Sequence, residues 1–225
     1  MKKLLFILTL GVFVFASCSE PSNEKKARKL IEPAIKANLA EPQSYKFQSI
    51  QLDSCFADAM NSAEAIDMSV KIAKLYKEYK EIKDEAERAE SSMTIYVPSY
   101  GYQSAHSKQQ YEKYKKEFEL AQRKLESRKN QIISTYKDNI ALLKKIANKE
   151  HEFTGWCATV TFSAKNMLGF NVSKNDVFFL DKDVTQIIKA FDENELNELT
   201  EIDEEEFKFE FEDALNEALG KEVEK

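Results

Sequence analysis

The chain has 225 residues, of which 32% are charged and only 5 are glycine, the profile of a helix-rich protein with room for one medium domain or two small ones. Its net charge is −6, and lysine far outnumbers arginine, which occurs only at 28, 88, 123 and 128. With no arginine-and-aromatic stripe, this balance argues against a nucleic-acid partner.

Residues 1–17 open with Lys2 and Lys3 and continue as an uncharged apolar run from Leu4 to Ala16. That run falls short of the ~20 residues a membrane span needs. A basic start, a short apolar core and a small-residue exit describe a secretory signal. The exit, "FASC", resembles the bacterial lipoprotein box, although Phe15 stands where leucine is usual. The resemblance implies that Cys18 receives diacylglycerol and becomes the mature N-terminus, so that the chain is tethered to a membrane and not inserted in it. More than one acyl chain gives stable anchoring. Residues 18–26 then form the lipidated cysteine and a polar leash. By the same resemblance, Ser19 permits export to the outer membrane of a Gram-negative envelope, on either face. An ordinary secretory signal with an incidental cysteine is the alternative.

Residues 24–40 carry Ala27, Leu30, Ile31, Ala34, Ile35 and Leu39 at helical spacing. Pro33 inside this stretch predicts a kink or a late helix start, and Pro42 ends it. "SYKFQSIQLDSCF" then alternates as a strand, with Ile50, Leu52 and Phe56 at even positions.

Residues 61–91 read as a second helix, capped by Asn61 with Glu64. Met68, Ile72, Leu75, Tyr79, Ile82, Ala86 and Ala89 alternate at spacings of 4 and 3, an a/d seam over three heptads. A third helix runs from about 108 to 149, capped at Ser107. Its seam is Tyr111, Tyr114, Phe118, Ala121 and Leu125, then Arg128 and Ile132. Two such helices joined by a loop of roughly 16 residues predict an antiparallel coiled-coil hairpin over 57–150, with an arm of about 63 Å. One long amphipathic region packed on a globular body is the other reading. Between the helices, "SMTIYVPSYGYQS" (92–104) holds no charge. It is the predicted tip, and Ile95, Tyr96, Val97, Tyr100 and Tyr102 are its candidate partner-contact residues. A tip that folds onto its own helices is equally consistent with the composition.

After the hairpin, Trp156, Ala158, Val160, Phe162 and Ala164 alternate with Cys157, Thr159, Thr161 and Ser163, a strand with one buried face. "KNMLG" is a turn and 169–181 the next strand; 183–191 is short and apolar and packs back on the sheet. The order helix, "LAEPQSY", strand, strand, "AKNMLG", strand resembles small α+β domains of bacterial (Bacteroidota-like) envelope lipoproteins and periplasmic proteins. The resemblance covers 27–56 and 152–181. It implies a small antiparallel sheet with a helix across it, an α+β head split between 27–56 and 151–191 and interrupted by the helical hairpin. It implies no activity.

Pairing the first two strands with Cys55 opposite Cys157 places Ile50 against Phe162, Leu52 against Val160 and Phe56 against Trp156, with both cysteines on the opposite face. An exported chain meets an oxidising compartment. This predicts a Cys55–Cys157 disulfide closing a ~100-residue loop, with stabilisation of up to about 4.7 kcal/mol in the chain-entropy account. Two free thiols are the alternative.

Residues 192–225 carry 15 Asp/Glu against 3 Lys, an acidic C-terminal tail expected to be a solvated amphipathic segment. The sharper alternative is a tail folded against the basic body. Phe207, Phe209 and Phe211 at period 2, followed by helical spacing, leave strand-then-helix and all-helix equally open.

His106 and His151 have no second ligand at zinc spacing, no glycine-rich phosphate loop is present, and neither "GWCAT" nor "SAKN" is a nucleophile elbow. The chain is therefore expected to be non-enzymatic, with no metal and no cofactor. The expected function is a membrane-tethered binding or scaffolding module that meets a protein partner, or a second copy of itself, through its hairpin. An adaptor in an export or efflux assembly, and an envelope hydrolase or hydrolase inhibitor, are the alternatives.

Overall fold

The computed structural model describes residues 21–58, 61–97, 104–149 and 151–219. The predicted signal and lipidation site Cys18 lie outside them, and so do residues 18–20 of the predicted leash; its remainder, 21–26, is not a leash but the first turns of helix α1. The chain is α+β. Helix α1 (Pro21–Ala37) leads through a 3-10 turn (Pro42–Ser44) to β1 (Lys46–Phe56), and helices α2 (Ala63–Ile95) and α3 (Ala105–Ala147) follow. Strands β2 (Phe153–Lys165), β3 (Asn171–Leu180) and β4 (Ile187–Phe191) come next, then helices α4 (Glu193–Thr200) and α5 (Glu204–Leu219). The four strands form one antiparallel sheet in the order β1-β2-β3-β4.

α1 buries Ala27, Ile31 and Ile35 at every fourth position, one stripe along the helix. The stripe packs on Leu52, Ala158, Val160, Phe162, Phe178 and Leu180 of the sheet. The late start is not what is found: α1 begins at Pro21 and runs as one helix through Pro33. Pro33 is exposed, so the carbonyl it leaves without an amide partner can turn to water, which lowers the usual interior penalty. Pro21 sits in the first turn, where a missing N–H costs nothing.

The other face of the sheet holds Cys55, Phe179 and Phe191 against Ala63 and Val70 of α2 and Leu196 and Leu199 of α4. The sheet is thus covered on both faces. The expected parity of the first two strands holds, but the register is two residues away. Ile50 faces Val160, Leu52 faces Ala158, Asp53 faces Cys157 and Cys55 faces Gly155. Register shifts between Phe47 and Ser49 and between Cys55 and Phe56 bracket this pairing, and the second turns Phe56 out against Phe153, ring centroids 5.9 Å apart. Gly155 has φ +149, and a Cβ there would lie 2.2 Å from the Leu180 carbonyl oxygen. Only glycine allows β2 and β3 to approach so closely at that end.

α2 and α3 pack along each other as a hairpin inserted between β1 and β2. At 1.5 Å per residue they extend about 50 and 64 Å. The caps are Ser62, whose hydroxyl accepts from the Ala65 amide, and Ser104, whose hydroxyl accepts from the Ser107 amide at 3.1 Å. Asn61, one expected cap, sits one residue before the true one, and Ser107, the other, lies three residues inside the helix as the donor to Ser104. Because α2 continues to Ile95 and α3 starts at Ala105, the connection is nine residues and not sixteen. No helix among the described residues is long and apolar enough to cross a membrane.

Over its described part, 192–219, the acidic tail is not a solvated segment. α4 packs on the sheet and the start of α2, while α5 lies along the hairpin, with Phe211 buried among Tyr76, Tyr79 and Ile132. Lys74, Lys77, Lys80 and Lys83 of α2 meet Glu195, Glu198, Glu206 and Glu210 in turn. The tail does fold against a basic partner, and that partner is its own chain.

Candidate interaction surface on the hairpin

α5 occupies one face of the hairpin. It touches Tyr76, Tyr79, Lys80 and Lys83 of α2 and Ile132 of α3. Glu78, Glu81, Ile82 and Glu85 lie about half a helical turn from those α2 positions at 100° per residue, so they form the opposite face. Nothing else in the described chain packs on it. A groove of about 530 Å³ runs there between the two helices, and a second of about 320 Å³ shares Glu85 and Lys124 with it and continues toward the tip.

Charge is distributed across this groove by helix. The α2 rim is acidic, with Glu78, Glu81 and Glu85, and the α3 rim is basic, with Arg123, Lys124 and Arg128. Toward the tip the signs exchange, and Arg88 of α2 stands across from Glu117 of α3. Three of the chain's four arginines therefore line one groove. Arginine presents a fork that takes carboxylates two-handedly and gives up its hydration more readily than lysine. Arg128 uses its fork within the chain, with Nη2 2.6 Å from Glu78 Oε2. The floor is apolar, formed by Ile82 and by Ala89, Leu120 and Ala121. Leu120 is 51% exposed, so the floor is open to a partner.

The expected tip residues divide. Ile95 and Val97 are exposed, at 78% and 51%. Tyr96 is half-buried, and one face of its ring stacks on Tyr114 of α3, centroids 5.8 Å apart. Tyr100 and Tyr102 lie outside the described residues. Part of the charge-free stretch thus folds back on its own helices.

Cys55 and Cys157 share a face as expected, but they are diagonal neighbours and not directly opposed, and both are free thiols. The Cys55 thiol donates a hydrogen bond to the Cys157 sulfur. That bond pushes Cys55 far up, with burial adding to it, and draws Cys157 down against the opposing effect of its own burial. His106 and His151 are exposed at opposite ends of α3. No group of three or more His, Cys, Asp or Glu among the described residues is arranged to hold a metal ion.

Little in the sequence announced the groove, since its charged rims stand at positions that a heptad reading assigns to solvent, while Ile82, Ala89 and Ala121 of its floor read simply as seam. A second apolar surface was also missed. Asn166 Oδ1 accepts from the Leu168 and Phe170 amides, closing the β2–β3 turn tightly and leaving Met167 94% exposed beside exposed Leu168 and Phe170. No family model matches the chain, and no curated protein or solved structure matches it.

Proposed function

We propose that this chain is a lipid-tethered envelope lipoprotein that acts as a non-enzymatic binding module, with the groove of the α2–α3 hairpin as its contact surface. The N-terminal "FASC" supplies the tether through Cys18. The single observation that carries the binding role is the bare hairpin face, where an apolar floor is flanked by matched acidic and basic rims holding three of four arginines. Protein contact surfaces draw their energy from a few desolvated anchors, with arginine enriched among them. The tip contributes Ile95 and Val97 at the end of the same arm.

Two measurements test this. Cys18→Ser should move the protein from the membrane fraction to the soluble fraction. A photo-crosslinker placed at Leu120 in living cells should capture a polypeptide, and the same probe at Phe209, exposed on α5, should capture far less. Equal or absent capture from Leu120 overturns the binding role, and unchanged membrane association of Cys18→Ser overturns the tether.

A further inference from the structure

The geometry points to a second copy of this chain as the occupant of the groove, paired about a two-fold axis that runs along the hairpin. This inference rests on the binding role proposed above and names its partner.

The argument is one of charge and symmetry. Across the groove the two rims carry opposite signs: Glu78 is paired with Arg128, Glu81 and Glu85 stand on the rim opposite Arg123 and Lys124, and toward the tip Arg88 shares the groove with Glu117. A two-fold axis along the hairpin lays α2 of each copy over α3 of the other at the same height. Every acidic position then meets a basic one, and the sign exchange at Arg88 and Glu117 is matched without any shift. A closed pair of this kind uses one patch twice and must be self-complementary. A two-fold axis perpendicular to the hairpin at the height of the larger groove would instead lay α2 on α2 and set Glu81 and Glu85 against the same acidic rim of the other copy, which is repulsive.

Two further observations favour the same axis. Glu81, Glu85, Arg88 and Lys124 form no ion pair among the described residues, so their charges are available to a partner. An axis along the hairpin also puts both heads at one end and both tips at the other. The two N-termini, and two lipid tethers, then reach the same membrane, and tethering raises the effective concentration of a modest interface.

The test uses the full chain in mild detergent. Sedimentation velocity should show a monomer–dimer equilibrium for the unaltered protein. Glu81→Lys with Glu85→Lys makes both rims basic, and Arg123→Glu with Lys124→Glu makes both rims acidic. Each double variant alone should associate at least about tenfold more weakly, and an equimolar mixture should recover dimer. Far-ultraviolet circular dichroism identical to the unaltered protein confirms that each variant folds. Fluorophores at Gln109 near the tip should show energy transfer between copies, which an axis perpendicular to the hairpin would abolish. An unaltered protein that stays monomeric, a mixture that does not recover dimer, or absent tip-to-tip transfer overturns the proposal. Monomeric protein that still crosslinks another chain from Leu120 would leave the binding role standing without it.

Discussion

Tyr96, the first residue after α2, stacks on Tyr114 in the third turn of α3, with ring centroids 5.8 Å apart and planes within 15°. The pair closes the hairpin where both helices are otherwise free of tertiary support. Removing the ring by Tyr96→Ala should cost about 1 kcal/mol beyond its area and act locally. Amide exchange across 92–97 and 111–117 should quicken, while the sheet keeps its protection. Unchanged exchange at the tip would show that the stack is not what holds it.

The tail is held by one aromatic cluster. Phe211 lies 5.5 Å from Tyr79 and 5.0 Å from Phe207, centroid to centroid, and is 2% exposed. Phe211→Ala should destabilise by about 3–5 kcal/mol. Phe209, two residues away and 84% exposed, should tolerate alanine within about 0.5 kcal/mol. Urea denaturation of both variants checks the contrast. Equal effects would mean that α5 does not seat as described. The flanking exposed ion pairs should matter less, each below about 1 kcal/mol, so moderate salt should not release the helix.

That pair of phenylalanines also marks where the sequence was hard to read. Phe207, Phe209 and Phe211 suit a strand at period 2, but a helix gathers 207 with 211 on one face and turns 209 to water. What decides between them is the apolar surface that receives the helix. That surface was itself half hidden: Val70, Ala73 and Tyr76 of α2 are buried off the heptad seam, a second stripe at spacing three that faces the sheet and the tail. The parity of β1 and β2 was legible because Leu52, Val160 and Phe162 had to share a face. The register was not, because a period of two fixes sides and not offsets, and the close approach at Gly155 with the flanking bulges sets the offset. The hairpin was legible from its seam. The groove was not, because its charged rims look like any solvated helix surface until two helices place opposite signs at one height.

The two cysteines should differ in reactivity. Cys55 is buried and its thiol is pushed up, first by its hydrogen bond to Cys157 and then by burial. Cys157 is less covered and is drawn down by accepting that bond. Nucleophilic attack needs the thiolate. Iodoacetamide on the folded, reduced protein should therefore modify Cys157 well before Cys55, as peptide mass spectrometry over time would show. Simultaneous labelling would contradict the hydrogen-bonded arrangement. Since the two thiols are diagonal neighbours on one face of the sheet, protein recovered from an oxidising compartment should carry the Cys55–Cys157 link, and two alkylatable thiols without reductant would count against it.

Asp176 gives the chain a pH response opposite to that of its ion pairs. The backbone amide of Glu193, at the start of α4, favours its ionised form, but Oδ1 is buried without a partner. Burial, aided by the nearby Asp192 and Glu193 carboxylates against Lys174, raises its pKa to about 6 from 3.8. A carboxyl raised on folding is penalised while ionised, so the penalty is present above pH 6 and fades as pH falls toward 3.8. For Glu210 the sign reverses. Burial alone would raise it, but Lys83 and the Tyr79 hydroxyl hold it below its ordinary value, so its contribution is lost as pH falls through that lowered pKa. Asp176→Asn keeps a carbonyl for the Glu193 amide and removes the charge. It should stabilise at pH 7.5 by roughly 1–2 kcal/mol once solvent screening of a half-buried carboxylate is allowed for. The gain should shrink to nothing near pH 4. Thermal melts of the two proteins between pH 4 and 8 should converge on the acidic side. Parallel curves, or a variant less stable at pH 7.5, would show that the carboxylate is solvated or paired and not buried beside α4.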